Sequence, residues 1–209
     1  MKTVVITGGT DGIGRGLALT YVDRGDRVVM IGTDPAKGEN VVAAAPSMSP
    51  NRVAFIRADL ELVDENHRVV DELTNALDQV DVLVLGARYQ RSKRTETADG
   101  LESNFALTYL SRFLLSHGLI DLLARADSPV VLNFGGAGGF GPPRWDDLQQ
   151  RTQYSGLTAM IQVAVSEGRA VPLDPRASSP ADARRLYEYT QNVLAERPRS
   201  NKNIEVPER

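Results

Sequence analysis

The chain has 209 residues, 42% hydrophobic and 24% charged, the proportions of one globular domain with a full core. A formal net charge of −3 without a long basic block gives no footing for nucleic acid or an anionic membrane, and no apolar run approaches the ~18 residues of a spanning helix. Cysteine is absent and the two histidines, His67 and His117, lie far apart, so disulfides, thiolate chemistry and a metal centre drop out and a cytoplasmic location is expected.

Met1-Lys2 leads straight into Thr3-Val4-Val5-Ile6-Thr7, a β-branched run that predicts a strand, with no signal-peptide pattern before it. Gly8, Gly12 and Gly14 follow in G-x-x-x-G-x-G spacing, and a helical pattern opens with Leu17, Leu19, Tyr21 and Val22. A strand, a tight turn and a helix in this order form a dinucleotide cradle. Gly8 suits the sharp turn, Gly12 lets backbone approach a pyrophosphate, and Gly14 lets the helix pack on the strand, while the free amides of the helix start face the phosphates. Cofactor contacts are expected from Gly8, Thr10, Asp11, Gly12, Ile13 and Gly14.

A second strand spans Asp26 to Ile31 and ends at Gly32-Thr33-Asp34-Pro35. A short helical pattern around Lys37 to Ala45 and a loop from Pro46 to Pro50 lead to a third strand from Arg52 to Ile56. Ala58-Asp59-Leu60 then precedes an amphipathic helix carrying Leu62, Val69, Val70, Leu73 and Leu77, and Val80 to Leu85 is a fourth strand. Four basic residues crowd the next stretch, Arg88 to Arg94, either to meet an anionic substrate or cofactor phosphate or as a solvated loop. One long helix is expected from Asp99 to Leu123, with Phe105, Leu110, Phe113 and Leu119 on a broad apolar face. A fifth strand from Pro129 to Phe134 enters a glycine-rich loop, Gly135 to Gly141, before a polar, weakly helical stretch opened by Trp145-Asp146-Asp147-Leu148. Strands alternating with helices argue for an α/β fold, a doubly wound parallel sheet of Rossmann type. One domain over 1–197 is expected, with Arg197 onward as a frayed tail.

These residues resemble the short-chain dehydrogenase/reductase family over roughly the first three quarters of the chain. Thr7-Gly8 through Gly14 matches its Thr-Gly-x-x-x-Gly-x-Gly signature, and Arg57-Ala58-Asp59-Leu60 looks like its adenine-contacting segment. Gly86-Ala87 stands within the family's Asn-Asn-Ala-Gly position, where only the alanine survives. Trp145 to Gln149 resembles a segment of the retinol-dehydrogenase-like branch and of natural-product ketoreductases. The resemblance implies cofactor contacts from Asp59, Leu60, Gly86, Ala87 and Thr33, and subunits paired through the long helix into a homo-oligomer.

The family's Asn-Ser-Tyr-Lys tetrad is absent. Gly135-Gly136 occupies the serine's place, Thr108 stands in the asparagine slot, Tyr154 is followed four residues on by Thr158, and no lysine lies between Lys93 and Lys202. Alignment from Trp145 puts the catalytic tyrosine's slot near Ala159 or Met160. Tyr154 is then either a proton donor at an unusual position or a packing tyrosine. Thr108 is either a substrate-binding hydroxyl or a helix residue facing the sheet. Against the family's length, the sixth strand and its Pro-Gly substrate loop do not appear between Gln162 and Val163, either through a deletion or because a segment there is unobserved, and a helix-like stretch from Ala181 to Leu194 follows.

In this family an acidic residue at the end of the second strand selects NAD by repelling a 2′-phosphate. That slot holds Gly32, and Thr33 follows where NADP users often carry arginine. Asp11, where many NADP users have a basic residue, argues the other way. NADP is the expected cofactor, with NAD the alternative. The resemblance implies an NAD(P)-dependent reductase of a small-molecule carbonyl, such as a secondary-metabolite ketone, working without the Tyr-Lys pair. The other reading keeps the fold without redox chemistry, as a cyclase, dehydratase, isomerase or cofactor-sensing subunit.

Overall fold

The computed structural model describes residues 1–44, 52–89, 91–134, 144–155 and 180–196. Five strands, β1 (Thr3–Thr7), β2 (Arg27–Gly32), β3 (Val53–Arg57), β4 (Val82–Leu85) and β5 (Val130–Asn133), form one parallel sheet in the order β3-β2-β1-β4-β5. Between them run α1 (Gly12–Asp23), α2 (Pro35–Ala43) and α3 (Val63–Ala76). The chain winds outward from β1 to β3, then returns to place β4 on β1's other side. That reversal opens a crevice at the carboxyl ends of β1 and β4.

The strands read as continuous apolar runs because both faces of the sheet are buried. Val4, Val28 and Val82 stand in register on one face, with Ile6, Met30 and Val84 beyond them, against Ala18 and Val22 of α1 and Val41 of α2. Val5, Val29 and Leu83 point the opposite way, onto Val69 and Leu73 of α3 and onto Leu115, Leu119 and Leu122 further along. The period-two alternation fixes the register, since a slip of one residue would exchange the two faces.

The expected single helix from Asp99 to Leu123 is instead α4 (Ser103–Phe105), a π-helical turn (Ala106–Leu110), α5 (Ser111–Gly118) and α6 (Ile120–Ala124). Asp99 is drawn off as a cap, its carboxylate accepting from the Val63 amide at 2.9 Å, where α3's own N-cap residue, Leu62, offers no side-chain acceptor. Glu102, 1% exposed, caps α4 by accepting from the amides of Asn104 at 3.0 Å and Phe105 at 2.8 Å. Within the π turn the Thr108 hydroxyl donates to the Asn104 carbonyl at 2.5 Å, competing for the oxygen that an α-helical amide would take, and the Ser111 amide reaches back five residues to Ala106.

The outer face of this helical run is packed on by a later segment of the same chain. It is covered by α7 (Pro180–Glu196), whose Leu186, Tyr189, Val193 and Leu194 pack on Phe105, Tyr109 and Phe113, with the Tyr109 and Thr190 hydroxyls 2.7 Å apart. The sheet's outer strand is more open: Val130, Val131 and Leu132 of β5 are 41–47% exposed.

The stretch after Trp145 forms turns rather than a helix, organised by Asp147. Its carboxylate accepts from the Arg151 amide at 2.6 Å and from the Thr152 amide and hydroxyl at 3.0 and 2.6 Å. Burial opposes ionisation there, but the Thr152 hydroxyl, the two amides and Arg144 outweigh it and bring the carboxyl down to about 2. A depressed carboxylate adds stability that is complete above its unfolded value near ~4 and is lost as pH falls through about 2. Asp147→Asn is expected to cost roughly 2 kcal/mol in denaturant unfolding at neutral pH, with the difference shrinking as pH approaches the acid limit; an equal cost at every pH would refute this origin.

The glycine-rich loop from Gly135 to Gly141, the Ala159 or Met160 slot, the junction at Gln162 and Val163 and the tail from 198 lie outside the described residues.

Candidate functional site

The crevice floor is set by Thr7, 2% exposed at the end of β1, whose hydroxyl accepts from the amides of Gly86 at 3.0 Å and Ala87 at 3.1 Å. This pins the loop after β4 against the turn after β1. Gly8 has φ +69°, and a Cβ there would lie 3.0 Å from the Ala87 Cα, so glycine answers both the turn and the close approach. At Gly14 a Cβ would meet the Gly8 carbonyl oxygen at 2.2 Å, which is why α1 can start against the strand it follows. Gly12, at φ +49°, borders open space, so its backbone presents a bare surface at the start of α1. On β2's side the space at Gly32 is tight, a Cβ there standing 3.0 Å from the Thr10 hydroxyl oxygen. The Ala58 amide donates to the Gly32 carbonyl at 3.0 Å and carries Asp59 and Leu60 onto the same rim.

The resulting crevice encloses about 870 Å³, large for a small-molecule site. All eleven residues expected to touch a cofactor line it: Gly8, Thr10, Asp11, Gly12, Ile13, Gly14, Thr33, Asp59, Leu60, Gly86 and Ala87. Lys37, Glu61, Tyr89, Leu107 and Phe134 also line it and were not singled out from the sequence. Lys37 stands on the first turn of α2, after Asp34 has capped that helix by accepting from the Lys37 amide at 3.2 Å. Its ammonium pairs with Asp11, and this hydrogen bond, helped by the Gly12 amide, holds the Asp11 carboxyl below the usual carboxylate range.

Of the basic stretch after β4, Arg88 lines the crevice, while Arg91 pairs with Glu61 at 2.8 Å and Arg94 with Glu96 at 2.6 Å. The Tyr89 hydroxyl bonds to Glu61 and Arg91, whose guanidinium lies 4.5 Å from the Tyr89 ring centroid. Burial and the Glu61 carboxylate push the Tyr89 phenol up, so it stays protonated.

Tyr154 and Thr108 are not among the crevice-lining residues. Thr108 is buried with its hydroxyl committed to the Asn104 carbonyl, and it is the preceding Leu107 that reaches the crevice. The Tyr154 hydroxyl accepts from the Asn104 side-chain amide at 2.9 Å and donates to the Arg91 carbonyl at 3.2 Å, beside the Glu102 carboxylate. Burial and that carboxylate raise its pKa, the reverse of what a lysine does in the family's pair. The geometry gives Tyr154 a structural role, joining the loop after β4 to the start of α4. Tyr154→Phe is expected to cost about 1 kcal/mol of stability and to leave nucleotide affinity unchanged; thermal unfolding with a parallel titration checks both.

The short chain dehydrogenase family model matches residues 2–145. Human polyprenol dehydrogenase is 30% identical over 167 residues, covering 77% of this chain and 51% of that protein. Mouse retinol dehydrogenase 13 is 33% identical over 136 residues, covering 63% and 40% respectively. The chain spans about half the length of the curated relatives it matches. Among solved structures, an uncharacterized protein of Mycobacterium paratuberculosis aligns with a TM-score of 0.75 at 19% identity, over 93% of this chain and 94% of that one. A metagenomic short-chain oxidoreductase in complex with NADP aligns at 0.62 and 20% identity, over 78% and 71%. At these identities the structural likeness is one of fold. Sheet order, glycine turn and the match through Trp145 agree, and the chain belongs to the short-chain dehydrogenase/reductase family, in its retinol-dehydrogenase-like branch.

Proposed function

We propose that this chain binds a nicotinamide dinucleotide in the crevice, NADP in preference to NAD, and reduces a carbonyl of a small molecule. The observation that carries the reading is the convergence of all eleven expected contact residues on one crevice at the topological switch of the sheet. The residues fit the group: the bare backbone at Gly12 leaves a cradle for a pyrophosphate at the start of α1, and the β3 rim at Asp59 and Leu60 offers an adenine its edge. The solved oxidoreductase with NADP has the same fold and supports the choice of ligand class. Once bound, the nicotinamide supplies the hydride. This chain's own part is to orient the dinucleotide on the Gly8 to Gly14 turn and to shape the apolar wall at Leu107 and Phe134. With no tyrosine and lysine paired at the crevice among the described residues, the proton for the carbonyl oxygen comes from water or from a hydroxyl of the substrate. The absence of cysteine fits a cytoplasmic setting.

A second reading, nucleotide binding without hydride transfer, is favoured by the placement of Tyr154 and Thr108 away from the crevice, their hydroxyls committed elsewhere. Titration of the purified chain with NADPH and NADH, followed by cofactor fluorescence and thermal shift, tests the first step. Binding followed by oxidation of NADPH with a ketone panel supports the reductase; binding with no turnover supports the second reading. Failure to bind either dinucleotide removes both.

A further inference from the structure

Helix α7 contributes none of the described residues that line the crevice, yet two adjacent side chains on it hold the helical run that does. Phe105, Tyr109 and Phe113 recur every four residues, a spacing that drifts by about 40° per step on a regular α-helix. The π turn from Ala106 to Leu110 is wider and takes the drift back, so the rings stay in one row with successive centroids 5.3 and 6.3 Å apart. Tyr189 meets the first of these rings edge-on at 5.9 Å, and Tyr187 lies 5.8 Å from the last.

Polar contacts from α7 hold the turn at two points. Thr190, 0% exposed, donates to the Leu186 carbonyl at 2.7 Å, so its oxygen accepts from the Tyr109 phenol, 2.7 Å away and inside the turn. The Tyr189 phenol accepts from Gln149 Nε2 at 2.9 Å, while Gln149 Oε1 accepts at 3.1 Å from the amide of Glu102, the residue that caps the run at its start. Leu107, two residues before Tyr109, packs the other way, into the core shared by the sheet and α3, and lines the crevice. Returning the turn to α-helical pairing would rotate one flank against the other by about 100°, so Leu107 and Tyr109 could not both keep their places.

We propose that Tyr189 and Thr190 are positioning residues for the crevice, holding the π turn in the register that sets Leu107 in the crevice wall. The inference rests on the nucleotide-binding reading above. The turn is the element that both sites bias: a nucleotide against Leu107 favours the register that α7 requires, and α7 favours the register that the nucleotide meets. Binding in the crevice and the seating of α7 therefore strengthen one another by the same factor.

The test pairs NADPH titration with amide hydrogen exchange on the full chain. In the wild type, saturating NADPH is expected to slow exchange of the α7 amides from Leu186 to Leu194 about fivefold. The double variant Tyr189→Phe/Thr190→Val keeps the apolar face of α7 but removes both polar holds, and it is expected to bind NADPH about fivefold more weakly, with circular dichroism as the folding control. Thr190→Ser, which keeps the hydroxyl, binds as the wild type does. In a Leu107→Ala background the double substitution weakens binding no further. Unchanged α7 exchange with NADPH bound, or wild-type affinity in the folded double variant, overturns the coupling and makes α7 a structural cover alone. A loss that persists in full in Leu107→Ala overturns the route through the turn. A wild-type chain that binds no NADPH overturns the nucleotide reading itself.

Discussion

Gly12→Asp is expected to abolish dinucleotide binding while leaving a folded protein. No atom lies within 4 Å of the position a Cβ would take, so the new side chain enters the crevice without a clash. The backbone there has φ +49°, a conformation that aspartate tolerates better than most residues, at a cost of about 1 kcal/mol. The carboxylate then stands where the pyrophosphate is proposed to lie, and two like charges in contact within a partly desolvated site cost several kcal/mol, a loss of affinity of more than about 100-fold. NADPH fluorescence titration reads the loss, and circular dichroism reports the fold. Wild-type affinity in this variant would place any dinucleotide elsewhere on the molecule.

The second large effect is on folding. Gly14→Ala puts a methyl group 2.2 Å from the Gly8 carbonyl oxygen, a backbone atom with no rotamer to change, so either the turn or the helix must shift. Overpacking against backbone is expected to cost roughly 3 kcal/mol, and at this chain length that is a fall in melting temperature of ~6–12 °C. Gly16, one helical turn from Gly12 on the exposed side of α1, is the control. Its Cβ would meet nothing within 4 Å, so Gly16→Ala is expected to stabilise the chain by about 0.5–1 kcal/mol. Two alanines added to one helix should thus move the melting temperature in opposite directions, as differential scanning calorimetry would show. Equal effects would mean that Gly14 does not seat the helix on the strand.

The strands and the cradle were legible because local rules determine both. A run such as Val4-Val5-Ile6 is buried on both sides of a parallel sheet, and the glycine spacing follows from the turn that joins β1 to α1. The long helix was misread because its apolar spacing is truly helical while its start depends on distant partners. Asp99 leaves the helix to cap α3, and Glu102 takes over as cap in a buried pocket shared with Gln149 and Tyr154. Tyr154 could be seen in the sequence to lack its lysine, but the carboxylate that raises its pKa lies 52 residues away. The pairs Asp11 with Lys37 and Glu61 with Tyr89, 26 and 28 positions apart, arise only when the turns after β1, β2, β3 and β4 meet at one end of the sheet. The partner of the apolar helix face was likewise illegible, because a second subunit and a late segment of the same chain bury it equally well.

That late segment bears on how the molecule comes to be assembled. β1, β2 and β3 pair with their neighbours in sequence and β4 then returns to β1, so the two faces of the sheet can begin to fill before the later helices exist. The contact between Tyr109 and Thr190 closes a loop of 81 residues and must come last. Until α7 has been synthesised, Phe105, Tyr109 and Phe113 form an aromatic stripe with nothing from that helix to cover it. A chain that stalls or is cut before α7 would carry its nucleotide crevice nearly intact, yet display the apolar surface by which chaperones and proteases recognise an unfinished protein.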